Sequence, residues 1–184
     1  MGVFLGFLPW IVFWVLSGRE NYQIAAAASV VVVIFLCIRD IQKRNIKVLD
    51  VGTLLFFVFL TLIAYTSEAV WIDTHATPLS TAALFLIALT SILIRKPFTL
   101  QYAREQVDPK FWDSPRFYST NLTISWVWCF AFAIMAVTSY VALNHPSLID
   151  RVIHILAFVG AIKFTAWYPD YVKKKLKNES QNQG

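Results

Sequence analysis

Residues 51–66 read VGTLLFFVFLTLIAYT, sixteen consecutive positions without a charged side chain. Crossing the hydrocarbon core of a bilayer takes about 20 residues of helix, with about 17 as the lower end. The run therefore predicts a membrane-spanning helix that draws a flanking residue or two into the lipid interface.

Five other apolar runs have the same character, at residues 2–17, 22–38, 79–94, 122–144 and 152–168. Of the 184 residues, 58% are hydrophobic and 15% are charged, whereas soluble domains carry about 25% charged residues. We expect an all-α fold: one polytopic membrane bundle of six transmembrane helices over residues 1–172. Five spans are the alternative, because Pro9 removes a backbone donor inside the first run and should kink that helix or mark its true start.

The Lys and Arg residues divide unevenly between the connectors. With both termini on one side, 13 of the 16 fall on that side, and only Arg19 and Arg151 fall on the other, while Lys163 lies inside the last run. Short loops rich in Lys and Arg are retained in the cytoplasm. We therefore expect both termini to be cytoplasmic, with a basic tail at 173–184 that is polar, lacks aromatic residues and should be disordered.

On this topology the largest cytoplasmic loop is RKPFTLQYAREQVDPKFWDSPRFYSTN, residues 95–121, with five Lys or Arg and six aromatic residues. The spacing of Phe98, Tyr102 and Val107 predicts a short helix lying on the membrane. Asp113 or Ser114 then caps a long helix predicted over 115–144, with Pro115 in its first turn.

Aromatic residues and cations suit the headgroup layer, where they contact anionic lipids, and they also suit a protein interface. An interfacial tether and a docking site for a partner protein are both open interpretations of this loop. The candidate partner-binding residues are Arg104, Phe111, Trp112, Arg116 and Tyr118.

Three stretches resemble landmarks of the intracellular septation protein A family: FLPWIVFWVL at 7–16, RKPFTLQYA at 95–103 and NLTISWVW at 121–128. Their order and spacing are similar to that family over roughly residues 3–145. The resemblance implies a small multi-pass protein of the bacterial inner membrane, without catalytic activity, that contacts division and envelope proteins.

Polar residues inside the apolar runs are the other candidates. Lys163 is expensive if it faces lipid, at about 2.5–3.5 kcal/mol near the centre of a span. A lysine stem can carry the charge to the interface by snorkelling; an ion pair with Asp50 or a transport role are the alternatives. His154 is expected to be a hydrogen-bonded residue at the other interface.

The remaining patterns favour packing over chemistry. Glu68, Asp73 and His75 gather in one predicted outer loop, but their spacing matches no metal motif, so we expect no metal site. Small residues predict close helix contacts within the monomer, with a homo-oligomer interface as the alternative. These are Ala25, Ser29, Ala131, Ala133, Ala136, Ala157, Gly160 and Ala161.

The sequence has no GxSxG elbow, no phosphate-binding glycine loop and no Cys/His ligand set, so we expect neither an enzyme nor a cofactor. The positive charge is explained by the loop bias, so nucleic acid is not invoked. We expect a non-catalytic membrane scaffold or partner-binding protein. The rivals are a small transporter or channel with a polar path near Lys163 and Asp50, and a lipid-modifying enzyme at the interface.

Overall fold

A computed structural model describes residues 2–17, 21–66, 69–144 and 147–181. Within these ranges the chain forms helices and no strand, which confirms the all-α prediction. In chain order the helices are α1 (Gly2–Gly6), α2 (Leu8–Ser17), α3 (Tyr22–Gln42), α4 (Val48–Thr66), α5 (Ala69–Leu93), α6 (Phe98–Arg104), α7 (Pro115–Ala142) and α8 (Leu148–Gln181). A 3-10 turn at Pro109–Phe111 precedes α7.

Four of these helices are long and apolar enough to cross a membrane, as expected of a membrane protein. They are α3, α4, Thr74–Leu93 within α5, and α7. The first predicted span is divided at Phe7, and its longer part, α2, has ten residues, or about 15 Å of helix. Pro9 lies next to the start of α2, so it marks the start of a helix as predicted. The four helices coincide with four of the six predicted spans.

The long helix predicted over 115–144 is confirmed almost in full, since α7 begins at Pro115 after Ser114 and ends at Ala142. Two other boundaries were predicted wrongly. The predicted outer loop at 67–78 is helical from Ala69 onward, with Pro78 inside α5. α8 continues through Pro169 to Gln181, so most of the tail predicted to be disordered is helical. Residues 182–184 lie outside the described ranges.

Aromatic side chains fill the centre of the bundle, and the divided N-terminal segment supplies three of them. Phe7, in the turn between α1 and α2, stacks on Trp128 at 4.7 Å between ring centroids. Trp10 is fully buried and donates its indole N–H to Thr53 Oγ1 at 3.0 Å. Phe13 is buried against Phe57 of α4. A buried aromatic ring with its polar edge hydrogen-bonded is fully compatible with an apolar core.

The predicted small-residue contacts form in part. Ser29 is buried and its hydroxyl donates to the carbonyl oxygen of Pro9 at 3.0 Å, which brings α3 close to α2. Ala25, Ala131 and Ala161 are also buried. Gly160 is exposed, and a methyl group at its Cα would meet no atom within 4 Å. Four of the eight positions are therefore buried within the chain, whereas Gly160 faces outward.

The short helix α6 is present, but its two aromatic side chains are buried in the protein and are not available to lipid. Phe98 and Tyr102 are buried, and Phe98 packs edge-on against Phe7 at 6.3 Å. The physical reason is that α1 and the start of α7 offer these rings a protein surface. α6 therefore closes one end of the bundle.

Three basic segments meet at that same end: residues 39–47, residues 95–116 and residues 173–175. The side chain of Lys47 contacts Glu105, and Arg116 lines the same groove as Lys173. We call this end of the bundle the basic end. The convergence agrees with the loop bias in the sequence, which predicts these three segments on one side of a membrane.

Candidate functional site

Lys47 is the centre of a charged cluster buried at the basic end. It lies in the connector before α4, its side chain is 0% exposed, and its Nζ contacts carboxylates from three parts of the chain. The distances are 2.5 Å to Asp40 Oδ2, 2.9 Å to Glu105 Oε1 and 3.9 Å to Asp50 Oδ2. A buried cation is tolerated when it is paired and hydrogen-bonded in this way.

The carboxylates of the cluster have further partners. Arg39 Nη2 lies 3.0 Å from Asp40 Oδ1, so Asp40 is bound by two cations. Asp50 Oδ1 accepts a hydrogen bond of 2.8 Å from the hydroxyl of Tyr102. Asp50 Oδ2 is buried and, among the described residues, has no hydrogen-bond partner. Two cations thus face three carboxylates.

Tyr102 holds the cluster against α6. Its ring lies below Lys47, with Nζ 4.9 Å from the ring centroid, a favourable arrangement for a cation and an aromatic face. Burial, followed by the negative charge of Asp50, raises the pKa of the Tyr102 phenol well above its usual value. The phenol therefore stays protonated at neutral pH and remains a hydrogen-bond donor to Asp50.

A second hydrogen bond joins α4 to α6. Gln101 Oε1 accepts a 2.8 Å hydrogen bond from the backbone N–H of Val48, which lies at the start of α4. Helix N-termini leave such N–H groups without an intrahelical partner, so this side chain acts as a cap. The cluster and the cap together tie α3, α4 and α6 into one unit.

Some of the predicted partner-binding residues make contacts within the loop, and others are exposed to solvent. The Arg104 guanidinium lies 5.5 Å from the centroid of the Trp112 ring. The Trp112 indole N–H donates to the carbonyl oxygen of Val107 at 2.9 Å. These contacts therefore stabilise the segment's own fold, and both side chains are half-buried.

Phe111 and Arg116 are exposed, and Tyr118 is half-buried. The 3-10 turn that presents Phe111 is capped by Asp108, whose side chain accepts from the backbone N–H of Lys110 at 3.0 Å. Lys110 Nζ in turn lies 4.9 Å from the centroid of the Phe111 ring. We call residues 105–118 the surface segment: it is ordered by local contacts and presents Lys110, Phe111 and Arg116.

Of the predicted polar residues inside the spans, His154 is hydrogen-bonded within the bundle. Its Nε2 lies 3.0 Å from the carbonyl oxygen of Met135, 3.0 Å from Thr138 Oγ1 and 3.1 Å from Ser139 Oγ. These contacts join α8 to α7. The histidine is thus a hydrogen-bonded residue at a helix interface.

The ion pair between Lys163 and Asp50 that the sequence allowed is not formed. Asp50 is held by Tyr102 and Lys47 in the cluster, whereas Lys163 is exposed on α8. The exposed position suits a lysine that snorkels along its own helix.

The predicted outer-loop trio is only partly described, because Glu68 and the side chain of Asp73 lie outside the described residues. His75 stacks on Trp71 at 4.6 Å, and its Nδ1 lies 2.9 Å from the Trp71 carbonyl oxygen. Across the part of the chain that the structure describes, no three His, Cys, Asp or Glu side chains gather as metal ligands do.

Sequence reasoning missed Lys47, Asp40, Tyr102 and Glu105 as a group. The available signal was the charge pattern at the edges of two apolar runs, where Asp40, Lys47 and Asp50 fall within eleven positions. Their partners on α6 and after it are more than fifty residues away in the chain, beyond what local spacing indicates.

Known proteins give no further guide to the role of this cluster or of the surface segment. Comparison with known protein families, with curated proteins and with solved structures finds no match to this chain.

Proposed function

We propose that this protein is a non-catalytic membrane scaffold whose surface segment, residues 105–118, binds a partner protein. The observation that carries the proposal is the way the segment is built. Glu105 anchors its start to buried Lys47 at 2.9 Å, and Trp112 and Arg104 brace its middle. Binding groups on a preorganised support lose less conformational entropy when a partner docks.

The exposed groups of the segment are those that protein interfaces favour. Phe111 is 50% exposed beside Lys110, and Arg116 is exposed in the first turn of α7. Aromatic residues and Arg are enriched at protein interfaces. An exposed ring held by a capped turn is a suitable anchor for a partner's pocket.

We propose six spans with both termini cytoplasmic in a bacterial inner membrane. α1 and α2 together, and the 152–168 part of α8, would be the first and last spans. The proposal is supported by the basic end, which collects cations from two connectors and from the C-terminal part of α8, and by the retention of such basic segments in the cytoplasm. The resemblance to septation proteins supports the bacterial inner membrane and division or envelope proteins as the class of partner.

A topology experiment tests whether the surface segment is cytoplasmic, as the proposal requires. In a chain with Cys37 and Cys129 replaced by Ser, Asp113→Cys places one exposed thiol in the surface segment. We expect a membrane-impermeant maleimide to label it only after the cells are opened. Labelling in intact spheroplasts would place the segment outside the cell and overturn the proposal.

Docking is tested by a photoreactive amino acid at position 113 in living cells, with crosslinks to division and envelope proteins identified by mass spectrometry. We expect one recurrent crosslinked partner, lost in the double variant Lys110→Glu, Phe111→Ser. The matched control is Lys174→Glu, an exposed charge reversal on α8. Equal crosslinking in both variants, at normal protein levels, would refute docking through the segment.

A transporter is the second candidate, and the observation in its favour is the buried Asp50 Oδ2, which has no hydrogen-bond partner among the described residues. The rings of Phe7, Trp10 and Trp128 in the core weigh against a polar path beside it. Cation or proton flux in reconstituted vesicles that Asp50→Asn abolishes, and Lys163→Met leaves unchanged, would replace the scaffold proposal.

A further inference from the structure

A groove of about 610 Å³ runs along the basic end, between the first turns of α7 and the second half of α8. α1 and α6 form its inner wall, and the surface segment forms one edge. Its lining is mainly apolar and includes Phe4, Val107, Phe117, Ile124 and Val172. Pockets that bind small molecules have volumes of about 300–1,000 Å³ and walls of this kind.

The charge at the groove has one sign. Among the described residues that line it, Arg116 on α7 and Lys173 on α8 are the only charged ones, and none is Asp or Glu. Lys173 lies 4.0 Å from Asp170, but their side chains are 80% and 74% exposed, and such surface pairs are weak. Two cations from different helices therefore stand over an apolar cleft whose described lining supplies no counter-charge.

Aromatic rings on α8 indicate the level of the groove in a membrane. Trp167 and Tyr171 stack at 4.9 Å and are both partly exposed, and they flank Pro169, a lining residue. Exposed Trp and Tyr are enriched at the headgroup layer. Lys173 follows this pair by less than one turn, so its charge falls where lipid phosphates lie.

We propose that this groove binds one anionic phospholipid, with its phosphate between Arg116 and Lys173 and an acyl chain along Phe117, Ile124 and Val172. Basic pockets between transmembrane helices on the cytoplasmic side bind anionic headgroups. The hydroxyls of Ser114 and Thr120, which also line the groove, are suited to bond the headgroup or the glycerol backbone. The apolar wall selects a lipid over free phosphate, since a phosphate ion leaves that wall uncovered.

The inference rests on the cytoplasmic position of the basic end given under the proposed function. The groove shares Phe111 and Arg116 with the surface segment, but the two proposals are tested separately. Because lipid binding is measured on the purified chain, its failure leaves the crosslinking result unaffected. Equally, a surface segment that binds no partner leaves the groove intact.

The test uses the full chain purified in a neutral detergent and titrated with phosphatidylglycerol, with phosphatidylcholine of the same acyl chains, or with inorganic phosphate. Native mass spectrometry counts retained lipid, and thermal unfolding measures stabilisation. We expect phosphatidylglycerol to be retained at one molecule per chain and to raise the unfolding midpoint. The other two ligands should do neither.

The double variant Arg116→Gln, Lys173→Gln should weaken phosphatidylglycerol retention at least tenfold. The matched control is Lys174→Gln, Lys175→Gln, which removes two exposed charges of α8 that do not line the groove. Ala166→Trp, which places a large ring in the groove, should abolish retention with both charges present. Equal retention of the two lipids, stabilisation by phosphate alone, or retention unchanged in the Arg116/Lys173 double variant would each overturn the proposal.

Discussion

Two lysines in two regions of this protein have opposite surroundings. Lys47, at the basic end, is fully buried among Asp40, Asp50 and Glu105. Lys163, inside the last apolar run, is exposed on α8. From sequence position alone Lys163 is expected to be the more costly of the two, since it interrupts a hydrophobic segment. The comparison teaches that the cost of a charge near a membrane depends on its partners and on its reach to water.

The helices that carry these lysines differ in the same way. α4 buries a face that includes Leu49, Asp50, Thr53, Phe57 and Leu60. α8 packs mainly against α7, and among its described hydrophobic residues only Ala161 is fully buried. Helices in lipid associate through packing and hydrogen bonds, because the lipid is as apolar as their side chains. α4 is therefore a core helix, and α8 is a peripheral one.

Replacing Lys47 with Met is the strongest test of this comparison. It leaves two buried carboxylates, Asp40 and Asp50, and the more exposed Glu105 without their shared cation, and removing one member of a buried ion pair costs about 3–5 kcal/mol. We expect a large fall in the unfolding midpoint of the purified protein. Lys163→Met is the control, and an equal fall in both variants would remove the distinction between the two regions.

A second pair of variants compares two glycines. A Cβ at Gly6 would overlap Tyr102 Oη and lie 2.9 Å from Leu49 Cδ2, so Gly6→Ala should cost about 3 kcal/mol through overpacking. Gly160→Ala meets open space and should stabilise α8 by about 0.5–1 kcal/mol, as Ala does relative to Gly in a helix. Chemical denaturation of both variants measures the difference.

Tyr102→Phe isolates one hydrogen bond of the cluster. The ring remains below Lys47, but Asp50 Oδ1 loses its 2.8 Å donor, which should cost about 1–2 kcal/mol. Because the variant also removes the atom nearest to Gly6, Gly6→Ala should cost less in the Tyr102→Phe background. Additive losses in this double-mutant cycle would contradict the contact between α1 and α6.

Trp112→Ala should have the smallest effect on global stability. The variant removes the indole N–H bond to Val107 and the ring beside Arg104, and both contacts lie at or within the surface segment. We expect limited proteolysis to cut residues 105–118 faster while the unfolding midpoint stays nearly unchanged. Resistance equal to that of the wild type would show that the segment does not depend on this brace.

The sequence predicts those features that depend on neighbouring residues. The start of α7 follows from Pro115, after Ser114 at the N-cap position, whose side chain makes no capping bond. The start of α2 follows from Pro9, because proline acts within one turn. Alternating apolar runs and basic connectors predict a multi-helix membrane bundle. Each of these signals comes from residues that are close together in the sequence.

The buried cluster and the position of α6 depend on contacts far apart in the chain. Lys47 and Glu105 are separated by 58 positions, and nothing near either residue identifies the other. α6 has the amphipathic spacing of a surface helix, but the rings that bury it come from α1 and α7. α8 passes Pro169 because a proline removes one backbone donor, a loss that an exposed helix near water tolerates more easily than a buried one.

The buried lysine also imposes an order of assembly on synthesis. A ribosome releases Asp40, Lys47 and Asp50 well before Tyr102 and Glu105, so the nascent α3–α4 hairpin forms before two partners of its charged groups have been made. The charged cluster is complete only after α6 has been translated and packs against the hairpin. The contacts of Tyr102 and Glu105 with the hairpin therefore form only after α3 and α4 have been synthesised.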